Sequence, residues 1–183
     1  YSKNFVITYV GNTSERRGLS TVIKSLRNLQ KTIPNIKLLI IGKSSFDGVL
    51  KNEILRYGVK DLVDFIGWVK ENEISNYLSI SKLGLSPLHR NIHHDTTYAN
   101  KIFQYISFGC PVVSSDVIAQ SELVKKHNIG VVFEDRNVMD LTKKIIQLYN
   151  EKELFEKLRS NCLRSIKKLN NSVISNQLIS IYE

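Results

Sequence analysis

Short runs of apolar residues alternate along this chain with longer stretches in which apolar positions recur every three or four residues. FVITYV (5–10) is apolar throughout and ends at Gly11. Leu19, Val22, Ile23, Leu26 and Leu29 then follow a period near 3.6, the mark of a helix, until Pro34 and Asn35 break it. IKLLIIG (36–42) predicts a second strand and 46–57 a second helix. LVDFIG (62–67) predicts a strand, 71–82 a helix, and KLGLSPL (82–88) a strand with a proline exit. A helix over 98–108 leads into the strand PVVSSD (111–116); a short helix over 119–127 precedes the strand GVVF (130–133). The segment 138–150 is amphipathic, and helical patterning continues from 151 to 183 as a tail, with a break at Asn170 and Asn171. Strands apolar on both faces, alternating with helices, belong to a parallel sheet covered on both sides. About six such units predict an α/β fold: one doubly wound, six-stranded Rossmann-like domain spanning 1–183. In such sheets ligands lie beyond the carboxyl ends of the strands. That rule singles out the loops after Gly11, Gly42, Gly67 and Pro87 and the start of the helix at 98.

This last helix is unusual. Ile102, Phe103, Tyr105, Ile106 and Phe108 make it apolar on most sides, so it is expected to be buried. Yet Thr97, Asn100, Lys101, Gln104 and Ser107 fall at steps of three and four and share one face. A cation, amides and hydroxyls on a mostly buried helix require polar company, which an anionic, hydroxyl-rich ligand would supply.

Composition narrows the field. At 183 residues, 42% hydrophobic and 23% charged, the chain has the make-up of a globular protein large enough to bury a core. Cys110 and Cys162 lie far apart with no CxxC pair, which argues for a reducing, cytoplasmic setting rather than a disulfide framework or zinc site. No apolar run approaches the roughly 20 residues that span a bilayer. The opening YSKNFVITYVG, without methionine, reads as the start of a fragment cut from a longer protein. The net charge of +9 is compatible with an anionic ligand, nucleic acid or an acidic membrane surface. Lys157, Arg159, Arg164, Lys167 and Lys168 suit a solvated helix face or a peripheral contact with anionic lipid. With no RNP signature, zinc finger or helix-turn-helix, nucleic acid is not expected.

Four segments carry candidate chemistry. In GNTSERRGLS (11–20), Gly11 permits a tight turn, Gly18 opens a helix whose free N–H groups attract anions, and Arg16 and Arg17 add fixed charge suited to phosphate. The loop is neither GxGxxG nor a Walker A motif, and a charged, glycine-capped surface turn fits it equally well. In IGKSSFDG (41–48), Lys43 is a phosphate contact or a solvated loop lysine. After IGW (66–68), the Trp68 side chain is expected to cap the sheet, leaving neighbouring backbone groups, including Val69, to read a base. SPLHRNIHHDTTYANK (86–101) brings His89, His93, His94 and Asp95 together, but with no established metal spacing. The segment reads as a flexible loop closing over a ligand. His127 is expected at the surface.

Taken in order, these elements resemble the C-terminal, donor-binding half of GT-B glycosyltransferases, specifically the group-1, family-4 retaining type. The matching pieces are YVG with RRGL (9–11 and 16–19), LLIIGK (38–43), VDFIGWV (63–69), LGLSPL (83–88), NKIFQYISFGCPVVSSD (100–116) and GVVFED (130–135). The resemblance covers Phe5 to Leu148 and implies a nucleotide-diphosphate sugar as donor, with no metal and no other cofactor. It implies that Arg17 and Arg16 hold the diphosphate and Lys101 neutralises it, with Gly11, Asn12, Lys43, Trp68, Val69 and Asn100 lining the donor site. Gln104 takes the second glutamate position of the family's E-x7-E motif, facing the ribose hydroxyls. Thr96 takes the first, near the donor sugar, with Asp95 adjacent and able to move into its place.

A glutamate accepts two hydrogen bonds from a ribose diol, whereas a glutamine offers one carbonyl acceptor and an NH2 donor. The resemblance further implies metal-independent sugar transfer to a glycan or lipid-linked acceptor in cell-surface polysaccharide synthesis, with the acceptor held mainly by an N-terminal half. The expected location is cytoplasmic, peripheral at the inner face of the plasma membrane. The departures at Thr96 and Gln104 leave two alternatives open: a degenerate donor domain acting as an interaction module, and a nucleotide-sugar epimerase on the same scaffold.

Overall fold

The structure, a computed structural model, describes residues 1–169. Six strands, β1 (Phe5–Val10), β2 (Ile36–Ile41), β3 (Val63–Gly67), β4 (Leu83–Ser86), β5 (Val112–Ser115) and β6 (Gly130–Phe133), form one sheet. Its order is β3-β2-β1-β4-β5-β6, and every pairing is parallel. The doubly wound sheet expected from the alternating pattern is therefore the one observed. Strand order reverses between β1 and β4, so the connections leaving those strands diverge and open a crevice above the sheet.

The helices are α1 (Leu19–Thr32), α2 (Asp47–Arg56), α3 (Glu71–Ser79), α4 (Ile92–Thr96), α5 (Asn100–Ser107), α6 (Ile118–His127), α7 (Val138–Asn150) and α8 (Lys152–Ile166). Ends agree with the sequence reading to within three residues, except in one segment. The stretch after β4, expected as a flexible loop, holds the short helix α4. Asn91 caps it, its side chain accepting the His94 N–H at 2.9 Å. The expected break at Asn170 and Asn171 lies outside the described residues.

Ile7, Leu38, Ile40, Leu83 and Leu85 face α1 and α7 in one core layer. Val10, Ile41 and Val112 belong to the other, with Ile102, Tyr105 and Ile106 of α5. Each large aliphatic side chain so buried contributes about 1.5–3 kcal/mol. Gly84 permits the close approach of α5: a Cβ there would lie 2.1 Å from the Tyr105 ring. The Tyr105 hydroxyl then donates to the Leu85 carbonyl at 3.0 Å and accepts the Val10 N–H at 2.9 Å. One side chain thus ties α5 to the ends of the two strands that flank the crevice. Among the described residues, no helix is long and apolar enough to cross a membrane.

Candidate functional site

The crevice at the switch point is a cavity of about 370 Å³ lined by Arg17, His94 and Lys101, by Asn12 and Gln104, and by backbone around Gly11. Three turns bring these groups together. After β1, Gly11 (φ 126°) turns the chain, and the Asn12 side chain accepts the Ser14 N–H at 2.9 Å. The 3₁₀ turn Glu15–Arg17 then ends at Gly18, whose φ of 75° suits glycine. A Cβ on Gly18 would fall 1.7 Å from the Pro87 carbonyl oxygen, so glycine lets this turn press against the exit of β4. His89 seals the contact, its N–H donating to the Arg16 carbonyl at 2.9 Å. The third contribution is the first turn of α5, whose N-cap Ala99 supplies no side-chain cap and leaves N–H groups to meet an anion.

The electrostatics are one-sided. Lys101 is only 7% exposed, yet its Nζ has no hydrogen-bond partner. It lies 3.8 Å from the centroid of the Tyr9 ring. Burial, reinforced by repulsion from Arg17, holds its pKa well below the usual lysine value. Arg17 Nε and His94 Nε2 are also buried and unpartnered. Burial lowers the His94 pKa too, with Arg17 and Arg16 adding repulsion. Three buried polar atoms without partners around one cavity constitute a standing cost of desolvation that an anion with hydroxyl groups relieves.

A second cavity, of about 420 Å³, opens on the other side of the β1 turn and shares Val10, Gly11 and Asn12 with the first. It is lined by Lys43, Trp68 and Val69 together with Ile41, Gly42 and Ile74. Trp68 is 66% exposed, so it does not cap the sheet as its position suggested; it forms a wall of this cavity instead.

The candidate residues are therefore placed unequally. Gly11, Asn12, Arg17, Asn100, Lys101 and Gln104 meet at the first cavity, and Lys43, Trp68 and Val69 at the second. Arg16 is exposed and lines neither. Thr96 and Asp95 also stay outside. The Thr96 hydroxyl donates back to the Ile92 carbonyl at 2.9 Å, and Asp95 accepts the Ile118 N–H at 3.0 Å while facing Arg90 at 3.5 Å. Asp95 thus anchors the start of α6 and does not stand in for a carboxylate at Thr96. Within the polar stripe, Thr97, Asn100, Lys101 and Gln104 face the cavity, while the Ser107 hydroxyl bonds the Gln104 carbonyl. His127 is half-buried rather than at the surface. Among the described residues, no three His, Cys, Asp or Glu side chains are grouped to hold a metal ion.

Two acidic residues that the sequence reading passed over shape the site. Asp135 accepts from His89 Nδ1 at 2.7 Å and from the Arg90 N–H at 3.1 Å, and its own N–H donates to Asp116 at 3.0 Å. The His89 carbonyl in turn meets His94 Nδ1 at 2.7 Å. Asp116 and Asp135 immediately follow β5 and come two residues after β6; applying the strand-end rule to all six strands would have found them.

Residues 1–165 match the family described as glycosyl transferases group 1. The chain is 25% identical over 181 residues to the capsular polysaccharide biosynthesis glycosyltransferase CapM of Staphylococcus aureus, covering 98% of this chain and 46% of that protein. Its fold superposes on that of HepE from Anabaena, solved in complex with UDP, with a TM-score of 0.84 at 20% identity, covering 98% of this chain and 48% of HepE. The C-terminal domain of the Francisella tularensis group 1 glycosyl transferase LpcC gives a TM-score of 0.76 at 15% identity, covering 90% and 85% of the two chains. The chain spans about half the length of CapM and of HepE. Its sheet, its crevice at the switch point and the family match agree: this chain belongs to the group 1 glycosyl transferases.

Proposed function

We propose that this chain is the donor-binding half of a glycosyltransferase that takes a sugar from a nucleotide-diphosphate sugar. The observation that carries the reading is the convergence of Arg17, Lys101 and the open first turn of α5 on one cavity, with Arg17 Nε and Lys101 Nζ buried and unpartnered. A diphosphate there accepts hydrogen bonds from both cations, and the nucleoside extends over Gly11 into the cavity walled by Trp68 and Lys43. The UDP bound in the structure of HepE supports the nucleotide class.

Sugar transfer expels a nucleoside diphosphate, and negative charge grows on the leaving oxygen as the glycosyl centre becomes oxocarbenium-like. Fixed cations and a helix N-terminus stabilise that charge in the transition state more than in the ground state. Lys101 and Arg17 would supply this without a metal ion. In this reading the acceptor is held by a further half, transfer proceeds with retention, and the product joins a cell-surface polysaccharide, as the name of CapM suggests for that relative. Calorimetric titration of the full-length protein with UDP and GDP tests the assignment. Micromolar binding of at least one supports it; no binding of any nucleoside diphosphate overturns it in favour of an interaction module.

A further inference from the structure

The three unpartnered atoms of the cavity differ in what they can bond. Arg17 Nε only donates, and so does Lys101 Nζ once an anion holds it in its protonated form. His94 is the opposite case. Its Nδ1 lies 2.7 Å from the His89 carbonyl oxygen, an acceptor only, and 2.9 Å from Asn91 Nδ2, which itself donates to that carbonyl at 3.2 Å; the shorter contact, to the acceptor, puts the proton on Nδ1. His89 is itself fixed, its ring against Asp135 and its N–H on the Arg16 carbonyl. The neutral ring therefore carries its lone pair on Nε2, buried and without a partner in a residue that lines the cavity. His94 is 1% exposed, so this acceptor is desolvated as well as unpaired.

A diphosphate offers acceptors and satisfies the two cations, but it has nothing to give a lone pair. Only an N–H or O–H donor can do so. The base lies towards the second cavity, whose lining includes neither His94 nor any other residue of α4, and the ribose diol is taken by Gln104 of α5. On the His94 side of the diphosphate lies the transferred sugar, which is rich in hydroxyls. From this the geometry points to His94 Nε2 as the acceptor for a donor-sugar hydroxyl, making it a specificity-determining residue for the glycosyl group. The assignment rests on the donor-site reading above. It also gives the chain Asp116, Asp135, His89, His94 a purpose: it orients one imidazole and fixes its tautomer. Nε2 is covered as the chain stands, so contact requires the groups that cover it to move aside.

The test compares each nucleotide sugar with its own diphosphate on the full-length protein, using UDP-glucose, UDP-N-acetylglucosamine and GDP-mannose against UDP and GDP. His94→Asn keeps a donor for the His89 carbonyl but removes the acceptor in the cavity. It is expected to weaken the preferred nucleotide sugar roughly tenfold while leaving the diphosphate within about twofold. His94→Gln, which returns an acceptor near the Nε2 position, is expected to recover most of that loss, with both variants melting near the parent. An equal fall for sugar and diphosphate, or no change for either, overturns the role of His94 while leaving the donor site standing. Failure of the parent protein to bind any diphosphate overturns the donor-site reading itself.

Discussion

The Lys101 ammonium rests 3.8 Å from the centre of the Tyr9 ring, buried and without a hydrogen-bond partner. The ring face offers a cation partial compensation, far short of what water provides. Lys101 is therefore held in readiness for a ligand at the expense of the fold. Lys101→Met should raise stability by about 1 kcal/mol, or a melting shift of roughly 2–4 °C, while weakening nucleoside diphosphate binding more than tenfold. The unfolded chain binds the lysine proton more readily than the folded one, so the parent loses stability as pH falls through the depressed value. The gap in melting temperature between variant and parent should widen in that direction, as scanning calorimetry at several pH values would show.

The same lysine makes ligand binding pH-dependent. Burial and Arg17 lower its pKa, and a diphosphate opposes both effects. Binding should take up a proton at pH values above the depressed value, and affinity should fall as pH rises through it. Calorimetry in buffers of differing ionisation enthalpy, at pH values between the depressed value and the ordinary lysine value, should show this uptake in the parent and none in Lys101→Met.

Arg17 and Arg16 are adjacent in sequence but unequal in space. Arg17 lines the cavity and Arg16 does not. Arg17→Ala should weaken diphosphate binding by roughly 1.5–3 kcal/mol, the value of a charge-assisted contact, and Arg16→Ala by less than about 0.5 kcal/mol. Equal losses from the two substitutions would contradict the geometry.

Gln104 lines the cavity one turn beyond Lys101. A carboxylate there accepts both hydroxyls of a ribose diol, while the amide accepts with one oxygen only. Gln104→Glu should tighten binding of the preferred nucleoside diphosphate about fivefold, and competition with the corresponding 2′,3′-dideoxy nucleotide should show that the gain depends on the diol.

Gly18 has a φ of 75° and no space for a Cβ beside the Pro87 carbonyl. Gly18→Ala should cost at least about 2 kcal/mol and lower the melting temperature by roughly 4–8 °C. Because Arg17 precedes Gly18, diphosphate affinity should fall with it.

The sheet was legible because burial on both faces writes each strand as an apolar run, and the polar stripe on α5 marked the cavity wall because polar residues on a buried helix need a partner. Side-chain direction was not legible. Arg16 and Arg17 look alike in sequence, and only the left-handed turn at Gly18 separates them. Thr96 and Asp95 lie at suggestive positions, but the short helix α4 turns one hydroxyl onto its own backbone and commits the carboxylate to α6. The His94 tautomer depends on His89 and Asp135, which meet across 46 residues of chain. No local spacing encodes such a contact.

The helix α8 crosses back beneath α5, where a Cβ on Gly109 would sit 3.3 Å from Leu163, and Asn161 donates to the Asn128 carbonyl at 2.9 Å. Cys162 packs into the layer shared with Ile102, Tyr105 and Ile106. The family match ends at residue 165, one short of the last residue of α8. The smallest unit that preserves the ligand cavity is accordingly not the six-stranded sheet with its crossover helices. A version shortened to Asn150 would retain every strand and every residue that lines the cavity, yet α5 would lose its backing. Recombinant truncations and domain grafts should keep the chain intact through Ile166.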